Sequence, residues 1–197
     1  MEKLDLSILY FFNRDLANPI FDYFFLTIAE SKIFLGIILL IVALFIWRGS
    51  SRVRLALAVA VICVAIADPL THYVLKPLFA RPRPCHVLDD LRMLVGCGGR
   101  FGMPSNHAVN IFTAMTVLSL FIRKYSYGFS LIAVLIGISR IYLGRHYPGD
   151  VLAGAAFGIV LAFVIMYILM IIFSRYKNVK TLTKWADDIR GALRWKR

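Results

Sequence analysis

The sequence predicts an all-α protein: a polytopic membrane helix bundle of five spans, with helices lying in the interface at its N-terminus. Three observations predict it. The 197 residues are 60% hydrophobic and 17% charged, where a soluble domain is roughly 45–50% apolar and about 25% charged. The mean hydropathy is +0.75. The apolar residues also gather in nearly uninterrupted runs, Ile33 to Trp47, Leu55 to Ala67, Ala108 to Ile122, Phe129 to Ile138 and Val151 to Phe173. A crossing takes about 20 apolar residues, so the chain has length for five or six spans with short loops and none for a second globular domain. Disordered, collagenous and disulfide-scaffold classes are excluded by the same composition.

Residues 1–30 hold two short apolar pieces. Leu6 to Phe12 has Asp5, Asn13, Arg14 and Asp15 close by, and Asn18-Pro19 separates it from Ile20 to Ala29. Neither reaches the length of a span. They read as helices in the outer interface, anchored by Phe11, Phe12, Phe21, Tyr23, Phe24 and Phe25; a sixth span is the alternative. No basic region, apolar stretch and small-residue cleavage site follow one another, so a secretory signal peptide is not expected.

Spans follow at about 31–47, 53–75, 105–122, 127–143 and 150–173. Thirteen of the 23 cations fall at Arg48, Arg52 and Arg54, at Arg123 and Lys124, and along the tail from Arg175 through Lys177, Lys180, Lys184, Arg190, Arg194 and Lys196 to Arg197. By the positive-inside rule these three places are cytoplasmic, which puts 76–104 and 144–149 together on the outer face. The division is therefore 1–30 interfacial helices, 31–174 membrane domain and 175–197 basic cytoplasmic tail. Trp185, Ile189, Leu193 and Trp195 sit among the tail's charges, and the tail reads as an anchor against anionic headgroups.

Seven further cations, Lys76, Arg81, Arg83, Arg92, Arg100, Arg140 and Arg145, lie in or beside the two outer loops. That is the side the orientation rule disfavours. Arg matches the forked geometry of phosphate oxygens, so an outer-face phosphate site accounts for them, and the +12 net charge speaks to lipid phosphate rather than to nucleic acid. Three local patterns sharpen the site. Lys76 and Arg83 flank a proline-stiffened turn ending at Pro84. Met103-Pro104-Ser105-Asn106-His107 opens a helix whose free N–H groups point outward, a cradle for phosphate. Ser139-Arg140, His146 and Asp150 span the turn between the last two spans.

The set K-x6-R-P at Lys76 to Pro84, P-S-x-H at Pro104 to His107 and S-R-x5-H-x3-D at Ser139 to Asp150 resembles the three-part signature of the type 2 phosphatidic acid phosphatase family, whose pocket is shared with vanadium haloperoxidases. The resemblance covers about residues 20 to 173. Asn106 departs from it, since the family usually has Gly there; Asn can take a left-handed or capping conformation and so still make the loop.

Residue chemistry and the resemblance assign the same roles. His146 is the candidate nucleophile, with Asp150 four residues on to fix its tautomer, and it would form a phosphohistidine. His107 would protonate the leaving oxygen and then activate water. Lys76, Arg83, Arg140, Ser105 and the N–H groups around Asn106 would hold the phosphoryl oxygens. Arg81, Arg100 and Arg145 are candidates for headgroup contact. Asp68 reads as a buried hydrogen-bond partner for Lys76 or His72 or as a helix-end feature, and Tyr142 and Tyr147 as anchors in the interface; His72 and His86 read as interfacial polar residues. Cys85 and Cys97 share the outer loop and could pair in an oxidising compartment.

No His or Cys cluster has metal-ligand spacing, so no metal and no cofactor are expected. The expected activity is a metal-independent lipid phosphatase at the outer face of a bacterial inner membrane, with membrane lipids for company and no obligate protein partner. The resemblance implies undecaprenyl diphosphate, phosphatidylglycerol phosphate or the 1-phosphate of lipid A as substrate. The loop from Asp89 to Gly102, rich in Arg and Gly, favours lipid A 1-phosphate, with undecaprenyl diphosphate next. A phosphotransferase with the same phosphohistidine and a non-enzymatic lipid-binding or transport protein are the remaining alternatives.

Overall fold

The computed structural model describes residues 2–30, 32–176 and 179–194. Ser31 and, in the basic tail, Lys177, Trp195, Lys196 and Arg197 lie outside them. Among the described residues nine α-helices follow in order: α1 Glu2–Tyr10, α2 Pro19–Glu30, α3 Lys32–Arg48, α4 Ser51–Leu70, α5 Lys76–Phe79, α6 Asn106–Phe121, α7 Ser126–Tyr142, α8 Pro148–Arg175 and α9 Lys180–Leu193. Among the described residues the only extended pairing is one bridge, Pro82 to Phe101. A π-helical turn at Thr71–Leu75 joins α4 to α5, because Pro69 inside the helix has no N–H to continue the ordinary ladder.

Each apolar run of the sequence became a helix within a few residues of the expected limits. Three helical stretches, Ser51–Phe79, Arg123–Tyr142 and Pro148–Arg175, are long and apolar enough to cross a membrane. The other two candidates, α3 and α6, have 17 and 16 residues. In the most apolar stretch of α8 only 22% of residues are buried, and Leu152, Val160, Tyr167 and Ile168 stand exposed on it. Apolar surface of that extent suits a hydrocarbon surround and not water.

The bundle is tightest where α6 meets α8. A Cβ on Gly158 would stand 2.5 Å from the Val109 carbonyl oxygen, and one on Gly154 would stand 2.8 Å from Ala108 Cβ and 2.9 Å from the Ser105 carbonyl oxygen. These two glycines, four apart on one face, let the backbones touch, as small residues do between membrane helices. Thr113 Oγ1 adds a hydrogen bond to the Gly158 carbonyl at 3.1 Å.

The ends of the bundle have different cores. At one end, α4, α6 and α8 close around Val59, Cys63, Val117, Phe121 and Met166, and α9 lays Ile189 and Ala192 onto the same cluster. The tail is therefore a helix packed on the bundle, tied by Arg123 Nη2 to the carbonyls of Ala192 and Arg194, and more than a loose charged anchor. At the other end Leu9 of α1 joins Ala108, Ile141, Tyr147 and Val151, and Phe25 of α2 stacks at 4.5 Å on Tyr142.

That packing corrects two expectations. Tyr142 and Tyr147 are buried, at 0% and 9% exposure, where interfacial anchors were expected. Phe25 likewise is core, while Phe11, Tyr23 and Phe24 keep the exposed faces expected of the N-terminal helices. Both tyrosines are held at the site end, Tyr142 by its hydroxyl to Asp22 Oδ1 at 2.5 Å.

Candidate active site

The three sequence patterns converge at that end. Lys76 opens α5 and is 7% exposed, with Nζ donating to the Phe101 carbonyl at 2.9 Å. Ala80 turns the chain out of α5 with a φ of 46°. The segment 81–83 then pairs with the end of the outer loop, Arg83 N donating to the Arg100 carbonyl at 3.0 Å and Gly102 N to the Arg81 carbonyl at 2.8 Å. Cys85 and Cys97 are joined as a disulfide, which closes the base of the loop between them.

Ser105 caps the start of α6 in an extended conformation, without a side-chain cap bond. Its N–H donates to the Asp150 carbonyl at 3.1 Å, so the start of α6 is tied to the first turn of α8. Asn106 is the first helical residue. Among the described residues Ala80 alone, glycines aside, has a positive φ, so Asn106 takes no left-handed conformation. Its amide Nδ2 instead donates to Asp68 Oδ1 at 3.1 Å, which also accepts from Asn110 Nδ2 at 2.6 Å. Asp68 thus serves α6 and not the Lys76 or His72 expected from sequence.

His146 lies in the turn before α8, not on the helix as its spacing to Asp150 implied, and is 1% exposed. Its Nε2 stands 3.1 Å from Arg83 Nη1, and its Nδ1 stands 3.4 Å from Asp150 Oδ2. A guanidinium has no acceptor, so Nε2 accepts and the proton sits on Nδ1, facing the carboxylate. Burial first, and then the cations Arg83, Lys76, Arg140 and Arg145, hold His146 well below the usual imidazole range. Burial and these cations therefore favour the neutral ring, with the Nε2 lone pair directed at Arg83. Asp150, fully buried, accepts the Tyr147 N–H at 3.1 Å and the Arg81 guanidinium at 3.1 Å.

Buried donors without a protein acceptor point to what the site holds. Nε of Arg83, Arg140 and Arg145 and Oγ of Ser105 are such atoms. An unsatisfied buried donor costs on the order of 1–3 kcal/mol; of these residues Arg83 lines the site cavity, so its Nε is the one placed to meet an acceptor-rich anion there. Lys76, Arg83, Asn106, His107 and His146 line one cavity of about 490 Å³ with His72, Tyr73 and Arg100. His107, on the first turn of α6, is exposed at the cavity. Arg140 and Arg145 do not line it; their Nη1 atoms share Glu30 Oε1 at 3.1 and 2.7 Å. Among the described residues no group of three or more His, Cys, Asp and Glu could hold a metal ion.

Of the outer cations expected to reach headgroups, Arg100 does face the cavity. Arg81 faces inward, its guanidinium bridging Asp5 at 2.6 Å and Asp150 at 3.1 Å over the Tyr147 ring. Arg92 pairs with Asp22. His86 Nε2 meets the Gly98 carbonyl at 3.2 Å, and His72 lines the cavity.

The N-terminal helices are the part of the site that sequence reasoning missed. Asp5, Asp22 and Glu30 pair with arginines of the outer loops and α7. Buried Asn13 donates to the carbonyls of Arg92 and Tyr142 and accepts the Arg92 N–H. The available signal was charge complementarity: Glu2, Asp5, Asp15, Asp22 and Glu30 are five of the chain's eleven acidic residues, opposite seven outer cations.

Comparison with known proteins agrees with this geometry. The family model described as the PAP2 superfamily matches residues 51–173. A lipid A 4'-phosphatase of Bacteroides thetaiotaomicron is 32% identical over 166 residues, 80% of this chain and 73% of that protein. A lipid A 1-phosphatase of Rhizobium etli is 32% identical over 88 residues, 43% of this chain and 38% of that one. The crystal structure of Aquifex aeolicus LpxE superposes with a TM-score of 0.66 at 30% identity, covering 83% of this chain and 95% of that chain.

Proposed function

Because the chain belongs to the PAP2 superfamily, a family of membrane lipid phosphatases, we propose that it removes a phosphate from lipid A through a phosphohistidine on His146. The observation that carries the reading is the state of that ring. Burial and the nearby cations favour the neutral ring, Arg83 and Asp150 direct its proton to Nδ1, and the ring lies in a cavity shared with His107, Lys76 and Arg83. His146 Nε2 attacks phosphorus. Lys76, Arg83 and the N–H groups at Asn106 hold the equatorial oxygens, where charge develops, while Arg140, paired with Glu30 outside the cavity lining, adds positive field. His107 protonates the leaving oxygen and then takes a proton from the water that cleaves the phosphohistidine. Fixed cations fill the place that metal ions take in other phosphatases, so the reaction needs none.

Placement decides the substrate class. The cavity opens beside His72 and Tyr73, next to the apolar, exposed Val74, Leu78 and Phe79, so a lipid's chains can stay in the bilayer while its headgroup enters. The helices α3, α4 with α5, α6, α7 and α8 are the five spans, α1 and α2 lie in the outer interface, and the site faces the periplasm or the cell exterior from the inner membrane. Support for lipid A comes from the relatives bearing that name, the 4'-phosphatase aligning over nearly twice as much of this chain as the 1-phosphatase. Undecaprenyl diphosphatase, phosphatidylglycerol phosphate phosphatase and lipid phosphotransferase are the alternatives.

A phosphate-release panel in detergent with lipid A, undecaprenyl diphosphate and phosphatidylglycerol phosphate tests the reading. Mass spectrometry of the lipid A product assigns the 1- or 4'-position. Release from lipid A should dominate and vanish in His146→Ala while lipid binding persists. Release surviving in that variant sinks the phosphohistidine, and label passing to a second lipid in place of water makes the protein a transferase.

A further inference from the structure

Asp5 stands on α1, ahead of the region that the family model matches, yet its carboxylate reaches the catalytic end. Oδ2 accepts from Arg81 Nη2 at 2.6 Å, and Oδ1 accepts the Gly149 N–H at 2.8 Å in the first turn of α8. Arg81 uses its other terminal nitrogen on Asp150 Oδ1 at 3.1 Å. Asp150 Oδ2 then faces His146 Nδ1. The Asp5 and Arg81 side chains are 15% and 25% exposed, and the guanidinium is 4.2 Å from the Tyr147 ring centroid. A continuous path of carboxylate, guanidinium, carboxylate and imidazole runs from the N-terminal helix to the reacting ring.

We propose that Asp5 is a positioning residue for His146, acting through Arg81 to keep one oxygen of Asp150 turned toward Nδ1. The physical reason lies in how guanidinium pairs with carboxylate. Left to one partner, an arginine fork binds both carboxylate oxygens in parallel. Asp5 occupies one prong, so Arg81 takes a single oxygen of Asp150, and Oδ2, which accepts the Tyr147 N–H at 3.1 Å, is left facing Nδ1 at 3.4 Å. Position 149 is shaped for this contact. A Cβ there would stand 2.9 Å from Asp5 Oδ2 and 3.1 Å from Arg81 Nη1, so the glycine leaves room for the carboxylate. Asp5, Arg81, Gly149 and Asp150 do not line the cavity, which makes their effect one on turnover and not on phosphate binding.

The inference rests on the phosphatase reading above, and its test separates the two. Turnover of lipid A and the inhibition constant of inorganic phosphate are measured for wild type, Asp5→Asn, Asp5→Glu, Gly149→Ala and Arg81→Ala, and for Asp5→Asn combined with Arg81→Ala. Asp5→Asn should lower kcat about tenfold or more, the usual scale for an outer-shell partner. KM and the phosphate inhibition constant should stay within about twofold. Asp5→Glu should recover part of the loss, and Asp5→Asn should add nothing once Arg81 is gone. If Asp5→Asn does not fold, Gly149→Ala carries the test, since it displaces the carboxylate while favouring helix. A kcat near wild type in the variant that folds, a parallel loss of phosphate binding, or an additive loss in the double variant overturns the inference. If wild type releases no phosphate from any lipid, the function fails instead. The ring-nitrogen resonances of His146 then decide the positioning role: Asp5→Asn and Arg81→Ala should move them alike, and unmoved resonances overturn it.

Discussion

Arg83 Nη1 donates to His146 Nε2 across 3.1 Å, so an arginine of one motif caps the lone pair of the proposed nucleophile in another. Under the proposed chemistry a phosphoryl group would draw Arg83 off the ring and onto its oxygens, exposing Nε2 in the same movement.

Arg83→Ala should therefore lose on the order of 10²–10³ in kcat, as removal of a single charge-stabilising donor does elsewhere, with KM raised as well. Arg83→Lys should recover little, because a point charge cannot both bond the ring and fork onto two oxygens. Steady-state phosphate release checks this, and a lysine variant turning over at the wild-type rate would refute the shared-donor geometry.

The depressed basicity of His146 has a consequence for pH. Its folded value lies well below 6.5 because burial and the surrounding cations disfavour the imidazolium. The reactive neutral form therefore persists as pH falls through 6.5 and is lost only at much lower pH. The ring-nitrogen resonances of His146, followed by NMR from pH 8 to about 5.5, should show no conversion to imidazolium. A midpoint near 6.5 would mean that the ring is solvated and unpaired.

How far the sequence reached depended on range. The apolar helices were legible because burial in hydrocarbon imposes apolar runs, and the three patterns holding Lys76, Arg83, Ser105, His107, His146 and Asp150 were legible because their spacing is local. Long-range partners were not. Nothing within a few residues of Asp68 says that it meets Asn106 and Asn110, and an interfacial reading of Tyr142 and Tyr147 could not foresee the N-terminal helices covering them. Arg81 was assigned to headgroups because its two carboxylates lie 76 and 69 residues away.

Reducing Cys85–Cys97 should loosen the outer loop that presents the Phe101 carbonyl to Lys76. The bridge closes a segment with a sequence separation of 12, and loop-closure entropy for about 15 residues is worth about 3 kcal/mol. Dithiothreitol, or the double serine variant, should lower the melting temperature in detergent and raise KM. Unchanged melting would show that contacts of the loop with Asn13 and Tyr10 suffice without it.

A phosphoryl site held by arginine, lysine and backbone N–H groups should be indifferent to chelators. Activity measured after exhaustive EDTA treatment should equal that of the untreated enzyme. Loss on EDTA with recovery on Mg²⁺ would place a metal in the reaction and overturn the cation-only scheme.

Gly158 and Gly154 link the fold to the chemistry. The contact they allow holds α6, with Ser105 and His107 at its start, against α8, with Asp150 in its first turn. Gly158→Ala would set a methyl 2.5 Å from the Val109 carbonyl oxygen, and that atom is backbone, so the helices must part. Overpacking of this kind costs about 1–3 kcal/mol. Parting there also pulls on the Ser105 N–H to Asp150 carbonyl bond of 3.1 Å one turn away from Gly154. Gly158→Ala should therefore lower melting temperature and kcat together. Gly128→Ala, where a Cβ meets nothing within 4 Å, should change neither. If Gly158→Ala melted lower yet kept its kcat, the packing of α6 on α8 would matter to stability alone.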